Sequence, residues 1–150
     1  MKSKTPRSLI LTEIFLYILA VCLLALDVFL WPLSGWYMQL RQITGATTRI
    51  VLVVVLYACS LPGWMILFEL FRLIRNIKRG SVFVDQNVGI LRIVSYSCLL
   101  VGVITFAGGF FYQPFFFVTV AALFLTLIVR VVKNVLQQAI DMKDELDFTV

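Results

Sequence analysis

Four long apolar runs constrain the fold of this chain more than any other feature of its sequence. They cover residues 9–31, 50–71, 88–111 and 115–132. The first three exceed the roughly 20 residues that a helix needs to cross about 30 Å of hydrocarbon, and the fourth lies near the short end of the usual range. Only helices and closed barrels satisfy the backbone in lipid, and runs this continuous are not barrel strands. The sequence therefore predicts an all-α, integral membrane four-helix bundle that forms one domain.

The amino-acid composition agrees with a membrane location. Hydrophobic residues make up 61% of the 150 residues, whereas soluble domains contain about 45–50%. A chain this short cannot enclose so much apolar surface, so most of it must contact lipid or neighbouring helices. The lipid bilayer is therefore the first partner that the sequence predicts.

Basic residues cluster on one side of the predicted spans, and this predicts the orientation. Eleven of the 13 lysines and arginines lie on that side. They are Lys2, Lys4, Arg7, Arg72, Arg75, Lys78, Arg79, Arg92, Arg130, Lys133 and Lys143. Because cytoplasmic loops carry such an excess, we expect both termini, the loop 72–87 and a helical tail 133–150 in the cytoplasm. The net charge of +5 then reflects orientation in an anionic membrane, and we expect no direct contact with nucleic acid.

Aromatic residues gather on the opposite side of the spans. Trp31, Trp36 and Tyr37 lie where the first run ends, and six more aromatic residues lie within residues 110–117. Trp and Tyr favour the membrane interface, where an apolar ring and a polar tip are both accommodated. We therefore expect an interfacial belt; an outward-facing ligand site is the alternative for the same cluster.

Four ionisable residues lie within or at the edge of the apolar runs, and each needs a partner because charge in a membrane is costly. They are Glu13, Asp27, Glu69 and Arg130. The pairs expected from depth and helical spacing are Glu13 with Arg130 or Lys133, Asp27 with Arg49, and Glu69 with Arg72 or Arg92. We expect ion pairs near the interfaces that join helices. A transport or proton pathway, or binding of a ligand or lipid headgroup by these groups, is the alternative.

The loop after the second run carries four basic residues and ends in a glycine. We expect residues 72–79 to extend the second helix to a C-cap at Gly80, because glycine adopts the left-handed conformation at little cost. Asp85 or Asn87 is expected to cap the third helix. Phe83 is expected to anchor the loop to the bundle. The candidate partner-binding residues of this loop are Arg72, Arg75, Lys78, Arg79 and Phe83.

The tail keeps the apolar periodicity of a helix and becomes acidic. Its apolar stripe continues through Leu136, Ile140 and Leu146. The acidic residues, which are further candidates for partner binding, are Asp141, Asp144, Glu145 and Asp147. An amphipathic helix needs a partner surface. The tail is therefore expected to pack on the basic loop or on a neighbouring subunit; docking of a cytoplasmic protein is the alternative.

The sequence contains no histidine-based or glycine-loop pattern of the common catalytic and metal sites. The chain has no histidine, and its three cysteines all lie within apolar runs. No nucleophile and base pair, phosphate-binding glycine loop or zinc-ligand pattern can be assembled from what remains. We therefore expect no catalytic residues, no cofactor and no metal, and a protein that is not an enzyme.

Two segments resemble a family of small bacterial membrane proteins called domain of unknown function 2975. One segment is the central loop, residues 74–87 with 91–92, and the other is the ending, residues 136–150. The family typically ends in an acidic stretch followed by leucine, threonine and valine; Phe148 here replaces that leucine. The resemblance implies a four-helix protein with no assigned enzyme activity. Its genes often lie beside one for a small helix-turn-helix DNA-binding protein, which suggests a regulatory pair.

Two functions of different classes are compatible with these features. The first is a non-enzymatic sensor or tether whose cytoplasmic loop and tail bind a partner such as a small helix-turn-helix regulator. The second is a small transporter, channel or immunity-type protein that binds a ligand within the bundle, motivated by Pro62-Gly63, which predicts a kink, and by the intramembrane acids. A structural subunit of a larger complex is a third alternative, and a homo-oligomer is compatible with each.

Overall fold

Four long helices form the structure. The computed structural model describes residues 6–148. Its helices are α1 (Arg7–Leu40), α2 (Ala46–Lys78), α3 (Asp85–Gly109) and α4 (Phe115–Phe148). The described residues form no strand, and all four helices are long and apolar enough to cross a membrane. The all-helical architecture with four candidate spans is confirmed.

Each helix packs on its neighbours in the chain. Among the described residues, close approach of helix backbones joins α1 to α2, α2 to α3 and α3 to α4, and joins no other pair. Successive helices run antiparallel. Glu13 near the start of α1 contacts Lys78 at the end of α2, Asn76 near the end of α2 contacts Asn87 at the start of α3, and Thr105 late in α3 contacts Thr119 early in α4. The α2–α3 loop, the start of α1 and the end of α4 therefore lie together at what we call the basic end. The other two loops lie at what we call the aromatic end.

Three of the helices are longer than the apolar runs that predicted them. α1, α2 and α4 contain 34, 33 and 34 residues, which is about 50 Å each at 1.5 Å per residue. α1 continues past Pro32, where the first run was expected to stop, and α2 continues through Pro62. α4 runs without interruption from the fourth apolar run into the tail. The apolar sequence marks the part of a helix that suits lipid, whereas backbone hydrogen bonding decides where the helix ends.

Small and hydroxylated residues line the interface between α3 and α4. The hydroxyls of Thr105 and Thr119 lie 2.9 Å apart and share a hydrogen bond across this interface. The side chain of Leu123 on α4 packs against the backbone of Gly102 on α3. Small residues let helix backbones approach closely, and van der Waals packing then holds them together in lipid. α3 is the most buried span, and α1 lies at one edge of the row with most of its surface exposed.

Gly108 lies at the junction of three helices. A Cβ atom added to it would be 2.9 Å from Cγ2 of Val55 on α2 and 3.1 Å from the ring of Phe115 on α4. Gly108 and Gly109 both belong to the last turn of α3, and the α3–α4 turn follows at residues 110–114. The absence of a side chain at Gly108 therefore allows α2, α3 and α4 to meet.

Candidate functional site

The basic end of α2 terminates in a glycine-dependent hydrogen-bonding motif. Gly80 has φ +81°, a conformation that favours glycine. Its N–H donates to the carbonyl of Ile77, and the N–H of Ser81 donates to the carbonyl of Asn76, each at 3.0 Å. These two bonds are those of a Schellman motif. α2 itself ends at Lys78, with Arg79 as the C-cap residue, and the predicted left-handed Gly80 that closes the helix is confirmed.

Asn87 holds the α2–α3 loop in place. Its side chain is 1% exposed, and its Nδ2 donates to the carbonyls of Ser81 and Val82 at 2.8 Å each. Its Oδ1 accepts a hydrogen bond of 2.9 Å from Nδ2 of Asn76, in the last turns of α2. One buried amide thus joins the end of α2, the loop and the start of α3. We call this set the asparagine clamp.

Two predictions about the loop are wrong, since the asparagine clamp holds the loop without a helix cap or an aromatic anchor. The residue before α3 is Val84, and no side chain caps the helix, so neither Asp85 nor Asn87 has the predicted capping role. Phe83 was expected to anchor the loop, but its side chain is 49% exposed. Asn87 satisfies loop carbonyls instead, and the loop needs no aromatic anchor. The two asparagines on either side of the glycine turn are the sequence signal that could have identified the clamp.

Glu69 is paired within its own helix. Its carboxylate, in a residue that is 8% exposed, accepts hydrogen bonds of 3.0 and 3.1 Å from Nη1 of Arg72. This is the partner expected from helical spacing. Arg92, the partner expected from depth, is exposed and forms no ion pair among the described residues.

Glu13 pairs with Lys78 rather than with Arg130 or Lys133. The physical reason is the order of the helices, because α1 packs on α2 and makes no close approach to α4 within the described part of the chain. Matching depth alone does not make two helices neighbours. The guanidinium of Arg130 instead lies 5.9 Å from the ring centroid of Tyr96 on the adjacent helix α3.

Asp27 and Arg49 do not meet either. Nη2 of Arg49 donates a hydrogen bond of 3.0 Å to the backbone carbonyl of Trp31. The guanidinium carbon of Arg49 lies 4.2 Å from the centroid of the Trp31 ring. Asp27 instead faces Ser60, which is 11 residues further along α2, or about 16 Å. The register of α1 on α2 therefore places Asp27 deeper in the span than the sequence analysis expected.

The carboxylate of Asp27 is only partly satisfied. Its Oδ2 accepts hydrogen bonds from the Ser60 hydroxyl at 2.8 Å and from the Trp64 indole N–H at 2.9 Å. Its Oδ1 is buried and has no hydrogen-bond partner in the structure. No basic side chain forms an ion pair with it among the described residues. An acid at this depth without a cation is a candidate functional group.

A polar groove of about 390 Å³ lies between α1 and α2 at the basic end. Its lining combines charged and aromatic side chains. They are Glu13, Tyr17, Phe68, Phe71, Arg72, Arg75 and Lys78. The rings of Tyr17 and Phe71 are 4.9 Å apart and join the two helices. We call this feature the basic groove.

A second pocket, of about 340 Å³, lies at the aromatic end and is almost wholly apolar. The hydroxyls of Tyr37 and Tyr112, both lining residues, share a hydrogen bond that ties α1 to the α3–α4 turn. This bond raises the pKa of the Tyr112 phenol. Trp36, Phe110 and Phe111 around this end are exposed, as a membrane belt requires.

The tail becomes fully exposed after Ile140. Ile140 is buried, whereas every residue from 141 to 148 is exposed. The predicted acidic residues Asp141, Asp144, Glu145 and Asp147 lie in this exposed part. None of the four forms an ion pair within the described part of the chain, and the backbone of α4 there does not come close to that of α1 or α2. The predicted tail residues 149–150, and the basic residues Lys2 and Lys4, lie outside the described residues.

Comparisons with known proteins agree with this architecture. The profile of the family described as "Protein of unknown function (DUF2975)" matches residues 8–150. A curated relative from Bacillus subtilis (strain 168), "Uncharacterized membrane protein YoaS", is 24% identical over 160 residues, which cover 95% of this chain and 98% of that protein. No solved structure matches the chain. With four membrane-length helices and a match over nearly all of its length, the chain belongs to the DUF2975 family of membrane proteins of unknown function.

Proposed function

We propose that the protein is a non-enzymatic sensor or tether of the bacterial cytoplasmic membrane, with its basic end in the cytoplasm. The excess of lysine and arginine at that end supports this orientation, since the predicted outer loops carry only Arg41 and Arg49. In this arrangement the α2–α3 loop and the end of α4 both face the cytoplasm. A partner in that compartment would reach both.

The observation that carries the proposal is the exposed end of α4. At about 50 Å, α4 exceeds the roughly 30 Å of hydrocarbon, so its last turns extend into water. Residues 141–148 carry four acids against one Lys143. They also expose Met142 and Phe148, at 61% and 91%. A helix with acidic and apolar exposed side chains suits a partner whose groove is apolar and whose rim is basic.

A small helix-turn-helix DNA-binding protein, the partner that the family resemblance implies, fits this chemistry. Such proteins carry a basic surface that contacts DNA phosphates. An acidic helix that occupied that surface would compete with DNA and hold the regulator at the membrane. Release on a signal would return the regulator to DNA.

Deletion of residues 141–150 tests the proposal. We expect a cytoplasmic protein that co-purifies with the full chain in mild detergent to be lost from the truncated chain. The thermal unfolding midpoint should stay within a few degrees of the full chain, because the deleted residues that the structure describes are exposed. Added salt should also weaken the complex, since exposed charges are screened.

A matched variant distinguishes a specific role of the tail from a general effect of negative charge at the basic end. Asp85→Asn removes an exposed acid from the start of α3 and should leave co-purification unchanged. The proposal would be contradicted if native membranes yielded no cytoplasmic partner. Equal recovery with the full and truncated chains would contradict it as well.

The partly satisfied carboxylate of Asp27 favours a second candidate function, a transporter or channel for a proton or small cation. An acid buried in a span without a cationic partner is a typical element of such pathways. For the purified protein in liposomes we expect proton or cation flux that Asp27→Asn abolishes. Wild-type flux no greater than that of empty liposomes would remove this candidate.

The same position has a structural prediction that does not depend on flux. Asp27→Asn keeps an oxygen acceptor for Ser60 and Trp64 and should retain the stability of the wild type. Asp27→Leu leaves both donors without their acceptor and should lower the free energy of unfolding in detergent micelles by about 1–2 kcal/mol. Unfolding followed by tryptophan fluorescence in a denaturing-detergent titration measures both. Equal stability of the two variants would show that these bonds do not hold α1 on α2.

A further inference from the structure

Among the residues that the structure describes, the basic groove carries one positive charge without an ion-pair partner. Arg72 is bound to Glu69, and Lys78 is bound to Glu13. Arg75 is exposed and its guanidinium forms no hydrogen bond or ion pair within the described residues. The groove therefore presents a single unneutralised guanidinium beside two arranged ion pairs. A singly charged anion matches this balance.

The position of the groove points to the membrane boundary. Its aromatic lining, Tyr17, Phe68 and Phe71, lies beside the charged residues at the basic end of the spans. An apolar surface beside a basic rim is the arrangement found where lipid headgroups meet a membrane protein. A soluble anion would bind the guanidinium but would not contact the aromatic rings, whereas a lipid would contact both.

An exposed apolar stripe leads from the groove along α2 toward the middle of the span. Phe68, Met65 and Leu61 are 71%, 53% and 75% exposed. Their spacing of three and four residues places them on one face of the helix. An acyl chain whose headgroup occupied the groove could lie along this stripe.

We propose that the basic groove binds the phosphodiester of an anionic glycerophospholipid, with Arg75 contacting the phosphate and an acyl chain lying along Phe68, Met65 and Leu61. Guanidinium groups suit phosphate because two parallel N–H donors match two phosphate oxygens. The singly charged phosphodiester of phosphatidylglycerol equals the unneutralised charge of the groove. This site is separate from the end of α4 and does not depend on a protein partner.

Lipid titration of the purified full chain in detergent, followed by native mass spectrometry, tests the proposal. The probes are phosphatidylglycerol, phosphatidylcholine and inorganic phosphate. We expect phosphatidylglycerol to bind more tightly than phosphatidylcholine, and Arg75→Gln to weaken phosphatidylglycerol binding about tenfold, as loss of a charged hydrogen bond does. The matched control is Arg79→Gln, which removes the same charge one helical turn further on, at an exposed residue outside the groove. It should bind phosphatidylglycerol as the wild type does.

Each other outcome overturns the proposal. Equal weakening by Arg75→Gln and Arg79→Gln would indicate general attraction of anionic lipid to the basic end. Equal binding of phosphatidylglycerol and phosphatidylcholine would show that the unneutralised charge does not select the lipid. Binding of inorganic phosphate with the same dependence on Arg75 would identify a site for a soluble anion. Because Arg75 is exposed, an unchanged thermal unfolding midpoint of Arg75→Gln should confirm that the variant is folded.

Discussion

Asn87→Asp is expected to lower the free energy of unfolding in detergent micelles by about 3 kcal/mol. The substitution keeps the shape of the side chain and its acceptor for Asn76 but removes both donors to the loop carbonyls of Ser81 and Val82. Each buried hydrogen bond left unmade costs about 1–3 kcal/mol. A carboxylate would also face two carbonyl oxygens at a position that is 1% exposed. Denaturing-detergent titration measures the change.

Asn134→Asp is the matched control, because it makes the same chemical change at an exposed position of α4. Its effect should stay within about 0.5 kcal/mol, as is usual for surface substitutions. Limited trypsin digestion adds a local measurement, since cleavage after Lys78 and Arg79 reports opening of the loop. We expect faster cleavage there in Asn87→Asp alone. If the two variants resembled each other in stability and in cleavage, the asparagine clamp would not be what holds the loop.

Gly108→Ala is expected to lower the free energy of unfolding by about 2 kcal/mol, although alanine is the better helix former. The added methyl group would lie 2.9 Å from Val55 and 3.1 Å from Phe115. Neither neighbour is the end of a long flexible chain, so α2 or α4 has to move. Overpacking of this kind typically costs 1–3 kcal/mol.

Gly89→Ala is the control for Gly108→Ala, since it lies on the same helix and an added Cβ meets no atom within 4 Å. There the gain in helix propensity should remain, and stability should rise by up to about 1 kcal/mol. The same denaturing-detergent titration compares the two variants. If both alanines stabilised the protein, the junction of the three helices would have room for a side chain.

The sequence predicts the helices well because their cause is local. Each apolar run satisfies its backbone internally. The glycine motif at Gly80 closes α2 through two bonds that span three and five residues. Glu69 with Arg72 follows from helical spacing for the same reason. These features depend on residues close together in the chain, so no knowledge of helix packing is needed.

The ion-pair partners that sequence reasoning missed depend on which helices are adjacent and in what register. Glu13 reaches Lys78 because α2 is the neighbour of α1, and Asp27 faces Ser60 because of the register between those helices. Equal depth along the membrane normal does not place two side chains in contact. Contact also requires that their helices be adjacent and that the side chains face each other. The role of Asn87 was missed for a related reason, because its bond with Asn76 forms only when the α2–α3 loop brings the two helix ends together.

The packing of each helix on its chain neighbours has a consequence for how the protein is made. Contacts that are local along the chain can form early, since little chain entropy is lost in closing them. α1 and α2 can pair before α3 has been synthesised, and each later helix can dock on the one before it. The bond between Tyr37 and Tyr112 spans 75 residues and can form only after α3 is in place. The packing therefore allows the helices to assemble in chain order, with the bond between the two tyrosines formed after the others.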